Sequence, residues 1–162
     1  MKHVKMESSA FSFTLSLPCV REHSAILCRT PQDVYKALAD TAQLAQETFS
    51  IITVNKKNWM IDRHLITLGI IDASLIHQRE VFRAAIIDNA SALILSHTHP
   101  SGDPAPSAED LAITRQMVAS GRIIGIRVLD HVILGHFPPS EESVTRVPYF
   151  SIREAGLIDF ET

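Results

Sequence analysis

The sequence predicts a single domain of mixed α/β (α+β) class, on three observations. Helical and strand-like periodicities interleave along the chain, no internal repeat or long linker divides it, and the composition is that of one compact body. Of 162 residues, 46% are hydrophobic and 20% charged, with 6 Gly and 8 Pro. That balance excludes low-complexity, collagen-like and disordered chains. A chain of this length buries roughly two thirds of the surface it exposes when unfolded, so it needs neither a disulfide framework nor a structural metal. Any metal would serve chemistry.

At the start, Lys2 and Lys5 precede an apolar stretch, as in a signal peptide. Phe11, Phe13, Leu15 and Leu17 alternate with Ser12, Thr14 and Ser16, however, and this period of two predicts a half-buried structural strand. Residues 1–29 are therefore an N-terminal strand or extension, and 30–162 the domain. Thr30 as cap, Pro31 at the first helical position and Asp33 near the positive helix end open a helix. Its apolar face is Val34, Leu38, Ala42 and Ala45, and it is expected to run to about Thr48. Residues 50–55 and 59–69 then form an antiparallel hairpin across the polar break Asn55-Lys56-Lys57-Asn58.

Over 77–89, Val81, Phe82, Ala85 and Ile86 make a helical stripe that Asn89 stops. Residues 91–96 read as a short strand buried on both faces, and a Pro/Gly loop follows from Pro100 to Pro106. Ser107 opens a short helix with the stripe Leu111, Thr114, Met117 and Val118, ended by Gly121. Strands are expected at 123–129 and 132–134, then an acidic turn at 138–142 and an edge strand at 149–152.

Charge and composition narrow the function classes. Fifteen basic residues against eighteen acidic ones leave a net charge of −3. No basic stripe is present to meet phosphates, so direct DNA binding is disfavoured. No apolar run approaches the ~18 residues of a membrane span. The two cysteines, Cys19 and Cys28, have no CxxC spacing and read as reduced thiols of a cytoplasmic protein. Eight histidines are the more unusual feature.

Leu93-Ile94-Leu95-Ser96-His97-Thr98-His99-Pro100 carries the chemistry. Side chains two apart on a strand share a face, so His97 and His99 leave the strand end as a pair. Asp110, in the first turn of the next helix, can fold back to meet them. Two neutral imidazoles and a carboxylate leave a fourth position open on a tetrahedral Zn²⁺, the arrangement of a catalytic site. The plainer reading is a satisfied strand histidine beside a helix cap, because Ser107-Ala108-Glu109-Asp110 is also an S-x-x-D cap.

The spacing His97-x-His99, seven residues, Ser107, two residues, Asp110 resembles the JAMM motif of the JAB/MPN metalloproteins. The words around it, H-x-R-E-V-F, S-H-T-H-P-S-G-D-P-x-P-S-x-E-D, G-I-R-V-L-D-H-V-I-L-G and S-I-R-E-A-G-L-I, are similar to the RadC branch, over roughly Thr48 to Ile158. The resemblance implies a mixed, mostly antiparallel sheet flanked by helices, with cytidine-deaminase-like layering. It also implies one catalytic Zn²⁺ on His97, His99 and Asp110, with a preceding glutamate as base. Glu80, opening the helix before the motif strand, is assigned that place; an acid in a first helical turn is also commonplace for dipole reasons.

On this reading zinc brings its water's pKa to near 7, Glu80 takes the proton and passes it to the leaving amine, and Ser107 donates to the oxyanion while also capping its helix. His131, in an Asp-His pair the branch also keeps, either supports a metal ligand or touches substrate, or is a hydrogen-bonded strand histidine. His3, His23, His64, His77 and His136 show no partner pattern. Neither G-x-S-x-G nor H-E-x-x-H occurs, which removes two other hydrolase classes.

The expectation is a cytoplasmic zinc metallopeptidase acting on a protein or peptide, at a peptide or isopeptide bond. Two alternatives stand beside it: an accessory binding protein of DNA repair or mobile elements, as the family's description suggests, and a metal-dependent phosphodiesterase. Longer RadC proteins carry an N-terminal helix-hairpin-helix region. The residues ahead of this core are too few for it, so DNA binding inferred from that region is not expected here.

Overall fold

The computed structural model of the protein describes residues 2–7, 12–17, 26–42, 44, 46–69, 76–136 and 147–160. Phe11, Cys19, His23, Ala45 and the turn at 138–142 lie outside the described residues. The N-terminal strand expected from the Phe/Leu alternation is half of a hairpin. β1 (Lys2–Glu7) pairs antiparallel with β2 (Ser12–Leu17) in a two-stranded sheet of its own.

Thr30 caps α1 (Pro31–Ala37) through a closed capping box with Asp33. The helix stops well short of Thr48. Leu38 leaves helical geometry at φ −120°, and its carbonyl is closed off in a local turn that accepts the Thr41 N–H and hydroxyl and the Ala42 N–H. Periodicity over Ala42 continues the apolar face without continuing the helix.

The main sheet runs β4-β3-β5-β6-β7. β3 (Thr48–Val54) and β4 (Met60–Leu68) form the expected hairpin, with Asn58 at φ 62° in its turn. α2 (Gln78–Ile87) leads into β5 (Ala92–Thr98), which pairs antiparallel with β3. α3 (Ala108–Ile124) then crosses over to β6 (Arg127–Leu134), parallel to β5, and β7 (Tyr149–Ser151) closes the edge. The result is the mixed, mostly antiparallel sheet with flanking helices that was expected.

β3 and β5 are buried along their whole length, as central strands covered on both faces must be. Phe49, Ile51, Leu93, Leu95 and Ile133 pack against Val81 and Phe82 of α2 and Ile113 and Met117 of α3. On the opposite face Ile52, Val54, Ile94, Val132 and Leu134 pack against Val34 and Leu38 of α1, with the buried Cys28 beside them. Among the described residues no helix is long and apolar enough to cross a membrane.

Two expectations about α3 and β6 change. The helix continues past Gly121 to Ile124, and Gly125 ends it in the left-handed region at φ 81°. Gly121 serves packing instead, because a Cβ there would stand 2.5 Å from the Ile126 carbonyl oxygen. Residues 127–134 form one strand rather than two, and it contains a bulge. Leu93 faces Val128 while Leu95 faces His131, so β6 spends one residue more than β5 between those pairs. The extra residue reverses the alternation: Val128 and Ile133, five apart, pack on the same side of the sheet.

Candidate metal centre

β5 delivers the histidines. Leu93, Leu95 and His97 share the sheet face toward α2 and α3, and His99 follows just past the strand end, its N–H donating to the Leu134 carbonyl. The two rings meet edge to face with centroids 4.6 Å apart and Nε2 atoms 2.8 Å apart. Phe49, the register partner of His97 on β3, stacks on its ring. The loop between His99 and α3 folds tightly on itself. Gly102 sits at φ 85° with its carbonyl accepting from His136 N–H, and a Cβ would collide with the His136 backbone.

Asp110 comes from the helix that follows. Ser107 is the N-cap, and its oxygen accepts from the Asp110 N–H. Asp110 Oδ2 accepts from both the Ser107 N–H and its hydroxyl, each at 2.7 Å. This reciprocal box directs the carboxylate back over the helix start. Oδ1 lies 3.1 Å from His97 Nε2 and Oδ2 3.6 Å from His99 Nε2. The cap therefore aims the acid at the histidines, and Ser107's one hydroxyl proton is given to Asp110.

His97, His99 and Asp110 form a group able to hold a metal ion, with ligand atoms within 4.8 Å of one another. Ligands 2.0–2.1 Å from a tetrahedral Zn²⁺ stand about 3.3 Å apart, close to these separations. The His99 Nδ1–H donates to the Asp103 carbonyl at 2.7 Å, which fixes the ring with Nε2 facing the group. The donor set therefore fits a divalent cation.

The electrostatics agree. Burial works against ionisation of Asp110, but the His97 and His99 rings beside it outweigh burial and hold the carboxyl well below the usual carboxylate range. His99 is raised above the ordinary imidazole value, chiefly by its hydrogen bond to Asp110, with help from the Asp103 carbonyl and the charges of Asp110 and Glu47. His131 is fully buried, and desolvation first, then the charge of His97, keeps it well below the ordinary value.

The structure brings His97, His99, Asp110, Ser107 and His131 together; it does not bring Glu80 among them. Glu80 is half exposed on α2 and faces Arg83 at 3.2 Å and Arg79 at 3.6 Å. The acid whose charge reaches His99 is Glu47, which no motif in the sequence marks. β3 pairs with β5 with Phe49 opposite His97, and extending that register two positions, past Thr48 and Thr98, carries Glu47 toward His99. Thr48 and Thr98 tie the strands between them, the Thr48 N–H donating to Thr98 Oγ1 at 2.9 Å. A glutamate opening a strand was the only signal, and it points to the site only when the strand's partner is known.

His131 lies with its Nε2 2.9 Å from His97 Nδ1 and its Nδ1 2.6 Å from Thr114 Oγ1. Thr114, in sequence only a member of a helical stripe, is one turn on from Asp110 on the buried face of α3. His64 has a partner as well. With Asp62 and Asp88 it forms a second group of ligand type, but Asp88 Oδ2 already takes the Thr53 hydroxyl at 2.6 Å and His64 Nε2 at 2.7 Å. That group closes on itself as a structural network between β3, β4 and α2.

A mixed sheet whose central strand ends in His-x-His, with a helix-capping aspartate set against the pair, defines a JAB-type domain carrying a His-His-Asp group of metal-ligand type. A family profile described as RadC-like JAB domain matches residues 28–157, and the chain belongs to that family. It is 47% identical over 133 residues to a UPF0758 protein of Symbiobacterium thermophilum, covering 82% of this chain and 52% of that one. With a UPF0758 protein of Listeria innocua it shares 41% over 138 residues, covering 85% and 57%. A UPF0758 protein of Methanococcoides burtonii shares 44% over 131 residues, covering 80% and 53%. The chain thus spans about half the length of these curated relatives.

Proposed function

We propose that the domain is a zinc-dependent hydrolase of amide bonds, acting on a protein or peptide at a peptide or isopeptide linkage. The observation that carries this reading is the convergence of His97 Nε2, His99 Nε2 and the Asp110 carboxylate at a strand end, with the Glu47 charge acting on His99. His97, His99 and Asp110 hold the ion. When bound, zinc supplies Lewis acidity that brings the pKa of water toward neutrality.

Glu47, rather than Glu80, is the base in this reading. It takes a proton as water oxygen bonds to the substrate carbonyl carbon, and returns it to the nitrogen as the C–N bond breaks. Ser107 can donate to the oxyanion only by giving up its bond to Asp110 Oδ2; its resting task is to aim that carboxylate. The buried Cys28 suits a reducing, cytoplasmic setting.

The test is a screen of peptide and isopeptide conjugates with purified protein of measured zinc content, run beside Glu47→Gln and with a bis-aryl phosphodiester and duplex DNA as further arms. Amide cleavage that follows zinc occupancy and disappears in Glu47→Gln is the expected result. Cleavage of the phosphodiester alone, or salt-sensitive DNA binding without any hydrolysis, overturns it in favour of another class.

A further inference from the structure

His131 reaches the site through an irregularity of β6. Strict alternation from Val128 would turn position 131 toward α1; the bulge at Leu129 and Asp130 turns it toward α3 instead. Asp130 holds that bulge in place. Its Oδ1 accepts from the His131 N–H at 2.7 Å and the Arg153 N–H at 3.1 Å, and its Oδ2 accepts from the Ser151 hydroxyl at 2.6 Å. The acid is itself buried, and it ties the bulge to β7 and the turn after it.

The hydrogen bonds of His131 then have a single consistent direction. The Thr114 hydroxyl contacts the Asp110 backbone carbonyl, which has no hydrogen to give, so the hydroxyl proton lies on that bond. Thr114 Oγ1 must therefore accept from His131 Nδ1–H. His131, fully buried and without a carboxylate on its ring, is neutral, so its Nε2 carries a lone pair. That lone pair accepts from His97 Nδ1–H, which leaves His97 Nε2 bare toward His99 and Asp110. The chain of bonds runs from the Asp110 carbonyl through Thr114 and His131 to His97.

We infer that Thr114 and His131 are positioning residues that lock His97 in its Nδ1–H tautomer and so present its Nε2 lone pair to a metal. The lock is a property of the metal-free chain; its effect on metal affinity rests on the reading of His97, His99 and Asp110 as ligands. Outer partners of this kind typically change metal affinity by about 10–100-fold.

Three variants of the full chain test it: Thr114→Val, which keeps shape and removes the acceptor; His131→Phe, which removes both ring nitrogens; and His131→Gln, whose amide can accept from His97 and donate to Thr114. Long-range ¹H–¹⁵N NMR of the metal-free protein reads the His97 tautomer, competition with a chromophoric chelator reads zinc affinity, and circular dichroism reads the fold. The expected result is an Nδ1–H His97 in the parent chain, with zinc affinity about 10–100-fold weaker in Thr114→Val and His131→Phe and largely restored in His131→Gln. If His131→Phe does not fold, Thr114→Val decides.

An Nε2–H His97 in the parent chain overturns the lock, as does undiminished zinc affinity in a folded Thr114→Val. An Nδ1–H His97 in a parent chain that binds no zinc supports the lock and overturns the hydrolase reading, so the two fail separately.

Discussion

His97 and His99 face each other through their Nε2 atoms at 2.8 Å, with the Asp110 carboxylate closing the third side. Two nitrogen lone pairs and an anion held this close repel one another unless a proton or a metal cation lies between them. Asp110 beside them raises His99 above the ordinary imidazole value.

Zinc should bind at one ion per chain, and His97→Ala, His99→Ala and Asp110→Asn should each lose it, as elemental analysis after gel filtration will report. A ligand at a hundred times its Kd stabilises the fold by about 2.7 kcal/mol. For a chain of this size that is roughly 5–10 °C in Tm. Chelator should remove that increment from the parent chain and leave the three variants where they are.

Glu47→Gln should keep zinc and lower kcat by about 10²–10⁴, the usual contribution of a positioned acid or base. Glu80→Gln, on the exposed face of α2, should change kcat by less than a few-fold. Steady-state kinetics on the two variants with matched zinc content decide between the acids, and the opposite ranking would return the base to α2.

The histidines act on stability with opposite signs. His99 is raised on folding, so its contribution in the metal-free protein is complete below about pH 6.5 and is lost as pH rises through its folded value. His131 is lowered, so the unfolded chain takes up a proton that the folded chain refuses, and stability falls as pH drops below about 6.5. Its slope is at most about 1.4 kcal/mol per pH unit. Asp110, held low, adds a further loss only below about pH 4. Urea midpoints of metal-free protein between pH 5 and 6.5 should show the fall, and His131→Gln should flatten it. Zinc uptake by the parent chain near pH 6 should release protons, measurable by calorimetry in buffers of different ionisation enthalpy.

Gly121→Ala should destabilise the fold by about 1–3 kcal/mol, because the new methyl meets a carbonyl on the segment that leaves α3. Chemical denaturation gives the number. A neutral result would mean that this helix end shifts freely, contrary to its packing against Phe82 and Val128.

Much of the fold was legible locally. Thr30 with Pro31 and Asp33 marks a helix start in the sequence and closes a capping box in the structure, and the Asn55–Asn58 break joins two strands that could pair in only one sense. The His97, His99, Ser107 and Asp110 spacing contains the site's geometry almost whole, because a strand places residues two apart on one face and a capping box points its acid back at the cap. Reading Gly121 as a stop failed for a local reason: a glycine in a helix marks close packing as readily as an end, and the left-handed φ that distinguishes Gly125 is not written in the residue type.

The sequence by itself determined the fold class, the family resemblance and the three residues able to hold a metal, since each rests on period, cap chemistry or short spacing. Tertiary structure alone decided which acid stands beside them and why His131 is there. Glu47 and His99 are fifty-two positions apart and come within reach of each other's charge through the pairing of β3 with β5, while His131 enters by one extra residue in β6. Both outcomes depend on which strands pair and in what register. That choice is set by the summed burial of two sheet faces, a free energy that no short stretch of chain contains.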